Sequence, residues 1–561
     1  MERRLYVLYG SQTGTAQDLA ERVSREAKRR HFRVSTAPID NCDPNHLTEQ
    51  CNVIFICSTT GQGDAPDNMT KFMRLILKRS LPQDLFSQMN MTVFGLGDST
   101  YSKFNFVAKK LRNRLIQLGA KEIVKSEYAD EQHPKGIDGT AVKWVNDLFT
   151  KLMLDFPTDL PIISENTIPD PRYKILLVTE PANQEIVEEG VTCAKVLEND
   201  RITSSDHFQS VRHLVIETNL KYGPGDVCAI MPKNLTIHIE ALCKRFNLDP
   251  NQTFRIQKTD PDAPDFPDQV FTWHTLFEQY LDICGTPRRY FFQLLSQLAH
   301  DEEEKDRLEW FGCSDGIDDL YRYNQREKRM YVEIFQDFKK IELETKTSYF
   351  LDLISRMQPR YFSIASCKPD RIELCIAIVK FLSPYKQLRT GTCTRYIENL
   401  KPNDTVKIWV KKGTMQFPDA NTPVIMVGPG TGVAPFRSLL QHHEIKKPTI
   451  LFFGNRNVKK DFLYENEMYS IKSPFTLSVA FSRDQNEKVY VQHRIRELKD
   501  DVWDILKSGG HVFVAGNNKM PKDVREAFVD VGVQNGLSAQ EAEEFIAQLE
   551  KNKKYQVESW G

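Results

Sequence analysis

The chain has 561 residues, with 75 basic and 76 acidic side chains and a formal net charge of -1. This length predicts three or more domains. Because the charge is balanced, the whole protein has no overall positive potential that would attract nucleic acid or an anionic membrane. The sequence has no apolar run long enough for a membrane span, and its 11 cysteines are scattered without zinc-like spacing. We therefore expect a cytoplasmic protein with reduced thiols, no metal site, no nucleic-acid partner and no membrane anchor.

The first part of the chain alternates short apolar strands with helical patterns. Strands are predicted at Leu5 to Tyr9, Val53 to Cys57 and Met91 to Gly95. Because helical patterns separate these strands, residues 1–152 are expected to form a parallel sheet covered by helices.

The remaining chain is expected to form a flexible linker and three further segments. Four prolines and few apolar repeats predict the linker over 153–172. Strand patterns over 173–235 and 356–415 flank helical patterns over 236–355, which indicates a β-barrel interrupted by a helical insertion. Residues 416–561 again alternate strands and helices, so the predicted fold class is α/β with several domains.

The loop after the first strand is rich in glycine and hydroxyl side chains, Gly10-Ser11-Gln12-Thr13-Gly14-Thr15-Ala16. Hydroxyl and backbone N–H donors at the start of a helix can hold a phosphate, assisted by the helix dipole. No lysine follows the second glycine, so the loop differs from a triphosphate-binding P-loop and better suits a monophosphate. In isolation, an ordinary capped turn would be the first interpretation of this segment.

Two further loops follow the next two strands, over 58–64 and 96–101. Loops at the carboxyl ends of parallel strands can converge on one ligand. With three loops in this order, residues 4–150 resemble the flavodoxin-like FMN module of the diflavin reductase family, which includes cytochrome P450 reductase.

The resemblance implies that the first loop holds the FMN phosphate and that the other two loops flank the flavin ring. Tyr101 would stack on one face of the ring, whereas Thr60 stands where cytochrome P450 reductase has a tyrosine. Asp130 matches a family position near FMN, although a solvated acid is an equally good interpretation. The implied FMN residues are Ser11, Gln12, Thr13, Gly14, Thr15, Ala16, Ser58, Thr59, Thr60, Gly61, Gln62, Gly63, Leu96, Gly97, Asp98, Tyr101, Phe104, Asn105 and Asp130.

The segment Arg360-Tyr361-Phe362-Ser363 combines a guanidinium, aromatic rings and a hydroxyl on one predicted strand. A guanidinium can bridge a pyrophosphate, and small residues at 391–394 open a helix whose N–H groups can face the same group. Together these segments resemble the FAD-binding elements of ferredoxin–NADP reductases, although Phe362 replaces the usual tyrosine. The resemblance implies FAD bound by Arg360, Tyr361, Phe362, Ser363, Gly391, Thr392, Cys393, Thr394 and Trp560.

A glycine-rich turn, Gly430-Thr431-Gly432, follows a strand predicted at 422–427. After another strand come Ser482, Arg483, Lys488 and Tyr490, which offer two cations and two hydroxyls to a ribose 2′-phosphate. A solvated hairpin is the alternative, but the spacing resembles the NADPH-binding pattern of the family. The implied NADPH residues are Gly430, Thr431, Gly432, Ser482, Arg483, Lys488, Tyr490, Gln492 and Asp523.

The C-terminal segment carries Glu558 and Trp560. A terminal aromatic is usually part of a frayed end, but in this family it stacks on FAD where nicotinamide must enter. The resemblance implies that Ser363, Glu558 and Trp560 tune hydride transfer, with Glu558 replacing the aspartate of cytochrome P450 reductase.

The family resemblance implies that electrons pass from NADPH through FAD to FMN and then singly to a protein. It is strongest to the small cytosolic members, which reduce an anamorsin-type iron–sulfur protein in cytosolic iron–sulfur assembly. Two alternatives remain at this point: a soluble reductase of P450-type or other haem proteins, and a flavin-stabilised assembly scaffold.

Overall fold

The computed structural model describes residues 3–61, 63–101, 103–165, 167–183, 190–442, 445–471 and 474–560. The chain forms two compact units. The first comprises Met1–Val187, Asn234–Gln358 and Ser383–Gln387, and the second comprises Glu188–Lys233, Pro359–Leu382 and Leu388–Gly561.

The elements of the first half, in chain order, are β1 (Arg4–Gly10), α1 (Thr15–Arg29), β2 (Arg33–Pro38), β3 (Cys51–Ser58), α2 (Thr70–Ile76), β4 (Met89–Gly97), α3 (Phe106–Gln117), β5 (Lys121–Glu122), β6 (Glu127–Asp130), α4 (Asp138–Asp155), β7 (Tyr173–Leu177), β8 (Thr192–Arg201), β9 (Val211–Glu217), β10 (Val227–Met231), α5 (Thr236–Arg245), β11 (Thr253–Lys258), β12 (Phe271–Thr272), α6 (Trp273–Gln279), α7 (Arg289–Leu298), α8 (Glu302–Gly312), α9 (Ile317–Leu320), α10 (Tyr331–Asp337) and α11 (Phe350–Leu353).

The elements of the second half are β13 (Arg360–Ser363), β14 (Arg371–Ala377), β15 (Lys380–Leu382), β16 (Leu388–Thr390), α12 (Thr392–Asn399), β17 (Thr405–Lys411), β18 (Val424–Val427), α13 (Ala434–His442), β19 (Thr449–Asn455), α14 (Val458–Asp461), α15 (Glu465–Ser470), β20 (Phe475–Phe481), α16 (Val491–Glu497), α17 (Lys499–Lys507), β21 (His511–Asn517), α18 (Met520–Gln534), α19 (Ala539–Lys551) and β22 (Tyr555–Trp560).

The N-terminal part of the first unit is a parallel sheet in the order β2-β1-β3-β4-β5, with β6 also paired to β4. Side chains alternate across β1, so Leu5 and Val7 enter a core with α1 and α4. Tyr6 and Leu8 enter a second core with α2 and α3. The sheet is therefore buried on both faces, as its continuous apolar strands predict.

The helical part of the first unit contains α5 to α11 around an aromatic core. The short strand β7 joins it through antiparallel pairing with β11, and Tyr173 is buried in its core. Here the structure differs from the predicted boundary, since residue 173 was expected to start the barrel. The alternating pattern predicts a strand but does not determine which strand it pairs with.

The second unit contains a six-stranded antiparallel sheet in the order β13-β10-β17-β8-β9-β14. A bridge between Ile364, directly after β13, and Leu374 of β14 closes this sheet into a barrel. Val196, Leu214 and Ile230 belong to its core, and α12 packs on the same core through Ile397. The predicted barrel is therefore present and begins at β8.

The C-terminal part of the second unit is a parallel sheet in the order β20-β19-β18-β21-β22. Its last strand, β22, is formed by the C-terminal segment and pairs with β21. The predicted fold class, α/β with several domains, is confirmed by these sheets. No helix of the described residues is both long and apolar enough to cross a bilayer.

Candidate cofactor sites

The first predicted loop is fixed in place by residues that lie far from it in sequence. The Ser11 N–H donates to Oδ1 of Asn68 at 2.9 Å, and the Gly14 N–H donates to Oγ of Ser11 at 3.0 Å. Gly14 has a φ of 89°, a left-handed conformation that glycine adopts without steric cost, directly before α1. The loop therefore presents the start of α1 in the geometry that favours an anion.

The predicted loops after β1, β3 and β4 meet at one edge of the sheet. Oγ of Ser58 donates to the carbonyl of Gly10 at 3.5 Å, and the Thr59 N–H donates to the carbonyl of Leu96 at 3.2 Å. The Glu131 N–H donates to the carbonyl of Gly97 at 2.8 Å. The three loops and the end of β6, from Gly10 to Glu131, are thus held together, as a single ligand would require.

Asp130 lies at the end of β6 beside this edge. Burial opposes its ionisation, but hydrogen bonds from Ser99 and from the Gln132 N–H prevail and lower the pKa of its carboxyl. Both N–H groups lie 3.0 Å from its Oδ1. Asp130 therefore shapes the loop over 98–101, and its role beside FMN stays a prediction.

Asn105 is the buried polar residue at this edge. Its φ is 52°, and its Nδ2 donates to the carbonyl of Ala129 at 2.9 Å, while its Oδ1 has no hydrogen-bond partner among the described residues. A Cβ on Gly97 would lie only 2.9 Å from the Asn105 side chain, so glycine is required there. An unpaired buried oxygen and a donor-rich loop fit a polar cofactor such as FMN.

The other predicted FMN residues differ in what they offer. Tyr101 and Phe104 are half-buried, so part of each ring faces outward. The Thr60 hydroxyl donates within its own loop to the carbonyl of Asp64 at 3.0 Å. Gln62 lies outside the described residues.

The predicted FAD segment forms β13, which pairs with β10 at the barrel edge. Phe362 packs against the barrel core, whereas Tyr361 is 36% exposed and has the Lys411 amino group 4.6 Å from its ring centroid. Tyr361 is therefore the more accessible ring for a ligand, although the family pattern assigns stacking to Phe362.

The turn at Gly391 opens α12, as predicted. Cys393 is buried in the barrel core, where burial raises the pKa of its thiol to about 12. Oγ1 of Thr394 accepts a hydrogen bond from the Val379 N–H at 3.1 Å. The side chains of Cys393 and Thr394 are thus turned inward, and the backbone N–H groups are what this turn can offer a pyrophosphate.

The predicted nicotinamide turn follows β18. A Cβ on Gly430, whose φ is 58°, would meet no described atom within 4 Å, so this side of the turn is open. A Cβ on Gly432 would lie 2.1 Å from the carbonyl oxygen of Ala515, which makes glycine obligatory where the turn crosses β21. The turn therefore combines close packing on one side with open space on the other.

The predicted 2′-phosphate residues follow β20. The Ser482 N–H donates to the carbonyl of Asn455 at 3.0 Å, and the Arg483 N–H donates to that of Arg456 at 2.8 Å. The side chains of Arg483 and Lys488 are exposed, as a site for a charged ligand requires. Nε2 of Gln492 donates a hydrogen bond to Oδ2 of Asp523, 31 residues away in sequence, at 3.4 Å.

The C-terminal segment is an ordered strand. In the pairing of β21 with β22, Ala515 lies opposite Glu558 and Asn517 lies opposite Trp560. Oε2 of Glu558 is shielded from solvent without a hydrogen-bond partner among the described residues, and burial raises the pKa of this carboxyl to about 7. Trp560 is 38% exposed. Among the described residues, Ser363 shares no hydrogen bond with Glu558.

Three family models match successive parts of the chain: flavodoxin over 7–144, the FAD binding domain over 184–396, and the oxidoreductase NAD-binding domain over 426–526. These matches fit the three groups of predicted residues, and they confirm the prediction of FMN, FAD and NADPH as cofactors.

Curated relatives match over the whole length. The chain is 41% identical to "NADPH-dependent diflavin oxidoreductase 1" of Xenopus laevis, with 100% of both chains covered. It is 40% identical to the Mus musculus protein of that name, with 99% of each covered, and 36% identical to that of Arabidopsis thaliana, with 100% and 99% covered. The chain belongs to the NADPH-dependent diflavin oxidoreductase family.

Proposed function

We propose that this protein takes a hydride from NADPH at FAD, passes electrons to FMN and delivers them singly to a protein in the cytoplasm. The proposed acceptor is an anamorsin-type iron–sulfur protein of cytosolic iron–sulfur cluster assembly. When bound, the flavins supply the redox chemistry, because they accept a hydride and release single electrons. The chain's own residues bind, orient and shield these cofactors.

The observation that carries this proposal is the meeting of three loops at the carboxyl edge of the first sheet. Hydrogen bonds join the ends of β1, β3, β4 and β6 there, and α1 starts at the same edge. We assign the FMN phosphate to the loop over 11–16, because its hydroxyl and N–H donors fit a phosphate monoester.

The second unit supplies the entry site for the hydride. We assign the nicotinamide to the turn at Gly430 and Gly432, and the 2′-phosphate to Ser482, Arg483, Lys488 and Tyr490. Because the turn touches Ala515 and Glu558 lies opposite Ala515, the Glu558 carboxyl is placed to hold a proton near this turn. Trp560 and Ser363 are assigned to positioning the flavin and nicotinamide rings.

An exposed aromatic beside the FMN loops supports a protein acceptor. Phe106 is 40% exposed, and a Cβ on Gly63 would lie 3.1 Å from its ring. The amino groups of Lys103 and Lys110 lie 5.4 and 5.9 Å from the ring centroid. An apolar centre with a charged rim is the usual composition of a transient docking surface.

The proposal is tested with the purified full-length protein. Released flavins are identified, and NADPH is added without oxygen while the flavin absorbance is followed. We expect equal FMN and FAD content, bleaching of both flavins, and rapid reduction of an anamorsin-type cluster. Absence of bleaching would exclude the reductase function, and faster reduction of a haem protein than of the cluster would overturn the proposed acceptor.

A further inference from the structure

The phosphate-binding loop contains no cationic side chain of its own. Residues 10–16 offer hydroxyls, an amide and backbone N–H groups. A phosphate monoester carries a charge of about −1.5 to −2 at pH 7, and the start of a helix supplies roughly half a positive charge. The loop and the start of α1 therefore supply less positive charge than the phosphate carries, and a cation outside the loop would add to its binding.

Arg288, in the helical part of the same unit, reaches this loop. Its Nη2 donates to Oγ1 of Thr15 at 3.0 Å, and its Nη1 donates to the carbonyl of Gly14 at 3.3 Å. A Cβ on Gly14 would meet Nη1 of Arg288 at 3.7 Å and no other described atom outside its chain neighbours within 4 Å. The guanidinium thus faces the open side of the loop.

The residues around Arg288 hold it there. The carbonyl of Pro287 accepts hydrogen bonds from Asn324 at 2.6 Å and from Gln325 at 2.9 Å. Arg289 contacts Asp138 at 3.5 Å. Tyr290 lies under the guanidinium of Arg25, 3.3 Å from its ring centroid. Three consecutive residues, 288 to 290, therefore contact the flavodoxin-like part of the unit.

A guanidinium has five N–H donors in a planar fork, and the two contacts above leave donors for a further acceptor. Asp18 lies in the first turn of α1, where burial raises the pKa of its carboxyl and the positive charge of Arg288 opposes that rise. A cation that acts on this carboxyl also adds positive potential at the start of α1. The position of Arg288 thus favours an anion on the loop.

We propose that Arg288 binds the FMN phosphate from the helical part, so that bound FMN and the docked arrangement of the first unit stabilise each other. This inference rests on the assignment of the FMN phosphate to the loop over 11–16. Reciprocal stabilisation follows by linkage, because a ligand that touches both parts binds most tightly when they are together.

The test measures FMN and riboflavin dissociation constants by flavin fluorescence in the full-length, FAD-loaded and FMN-depleted protein. Arg288→Ala should raise the dissociation constant for FMN about 10–100-fold, the usual effect of losing a charge-assisted contact. Riboflavin lacks the phosphate, so its affinity should change less than about 2-fold. Arg288→Lys keeps the charge but not the fork and should lie between wild type and Arg288→Ala.

Arg289→Ala is the matched control, because it removes a neighbouring contact with the flavodoxin-like part without touching the loop. It should leave FMN affinity within about 3-fold of wild type. Equal losses of FMN affinity in Arg288→Ala and Arg289→Ala, or equal losses for FMN and riboflavin, would overturn the proposal. If wild type binds FMN and riboflavin equally, the loop assignment itself is wrong; if wild type prefers FMN and Arg288→Ala preserves that preference, only the role of Arg288 is wrong.

Discussion

Glu558 lies opposite Ala515 in the parallel pair of β21 and β22, with its Oε2 shielded from solvent and unpaired among the described residues. Burial raises the pKa of the carboxyl from 4.5 to about 7. A proton is therefore held at this position near neutral pH, close to the turn assigned to nicotinamide.

The first prediction concerns the pH dependence of stability. Because the folded-state pKa of Glu558 is above the unfolded-state value, its stabilising contribution is complete below pH 4.5 and is lost as pH rises through about 7. At pH 8.5 the free energy of unfolding of Glu558→Gln should be about 3 kcal/mol higher than that of wild type, so the variant is the more stable protein. The difference should vanish below pH 4.5. FAD fluorescence during thermal unfolding at several pH values measures this.

Glu541 is the control of opposite sign. Hydrogen bonds from Ser538 lower the pKa of this exposed carboxyl, so its contribution is present above pH 4.5 and is lost as pH falls through the lowered value. Glu541→Gln should therefore be less stable than wild type at neutral pH. If the free energies of unfolding of wild type and Glu558→Gln change with pH in parallel, the pKa of Glu558 is not raised.

A second prediction concerns the joint between barrel and nucleotide-binding sheet in the second unit. Nη1 of Arg437 lies 2.6 Å from Oε2 of Glu373 and 2.7 Å from the carbonyl of Ala365, and both charged side chains are buried. Arg437→Gln removes one partner of the buried Glu373 carboxylate. The free energy of unfolding, measured by heat or denaturant, should fall by about 3 kcal/mol.

The double variant Arg437→Gln with Glu373→Gln should recover part of this loss, because a neutral amide then replaces the buried carboxylate that had lost its partner. Arg496→Ala breaks the half-exposed pair with Asp530 and should cost at most about 1 kcal/mol. If Arg496→Ala lowers the free energy of unfolding more than Arg437→Gln does, the buried pair does not stabilise this joint.

A third prediction concerns coenzyme selectivity. Arg483 follows β20 with an exposed side chain, and its N–H is fixed by the carbonyl of Arg456. Arg483→Ala should raise KM for NADPH about 10–100-fold, because a charge-assisted contact to the 2′-phosphate is lost. KM for NADH, which lacks this phosphate, should stay within about 2-fold. Equal changes for both coenzymes would place the 2′-phosphate elsewhere.

The sequence could predict where these loops and turns lie, because each local pattern combined a strand end with a glycine-rich or donor-rich loop. The carboxyl edge of the first sheet and the turn at Gly432 follow from such patterns. Asn68 and Arg288 were missed, since they reach the first loop only through tertiary packing. The terminal strand β22 was missed for the same reason: its partner, β21, is remote in sequence, and a terminal aromatic alone does not indicate pairing.

A fourth prediction concerns the acceptor surface proposed at Phe106. Phe106→Ala should lower kcat/KM for the protein acceptor about 10-fold, as expected for a truncated aromatic anchor, and leave ferricyanide reduction unchanged. Phe208→Ala is the control, because Phe208 is 69% exposed and belongs to the second unit. A loss of bound FMN, or of FMN reduction by NADPH, in Phe106→Ala would indicate damage to the FMN site instead of lost docking.

The most direct test of the electron route uses Thr15→Glu, which places a carboxylate in the phosphate loop and should release FMN while FAD stays bound. With NADPH and no oxygen, stopped-flow absorbance should show FAD reduction at the wild-type rate and no electron delivery to the protein acceptor. If the FMN-free variant reduces the acceptor as fast as wild type, FMN is not the outlet and the proposed route is wrong.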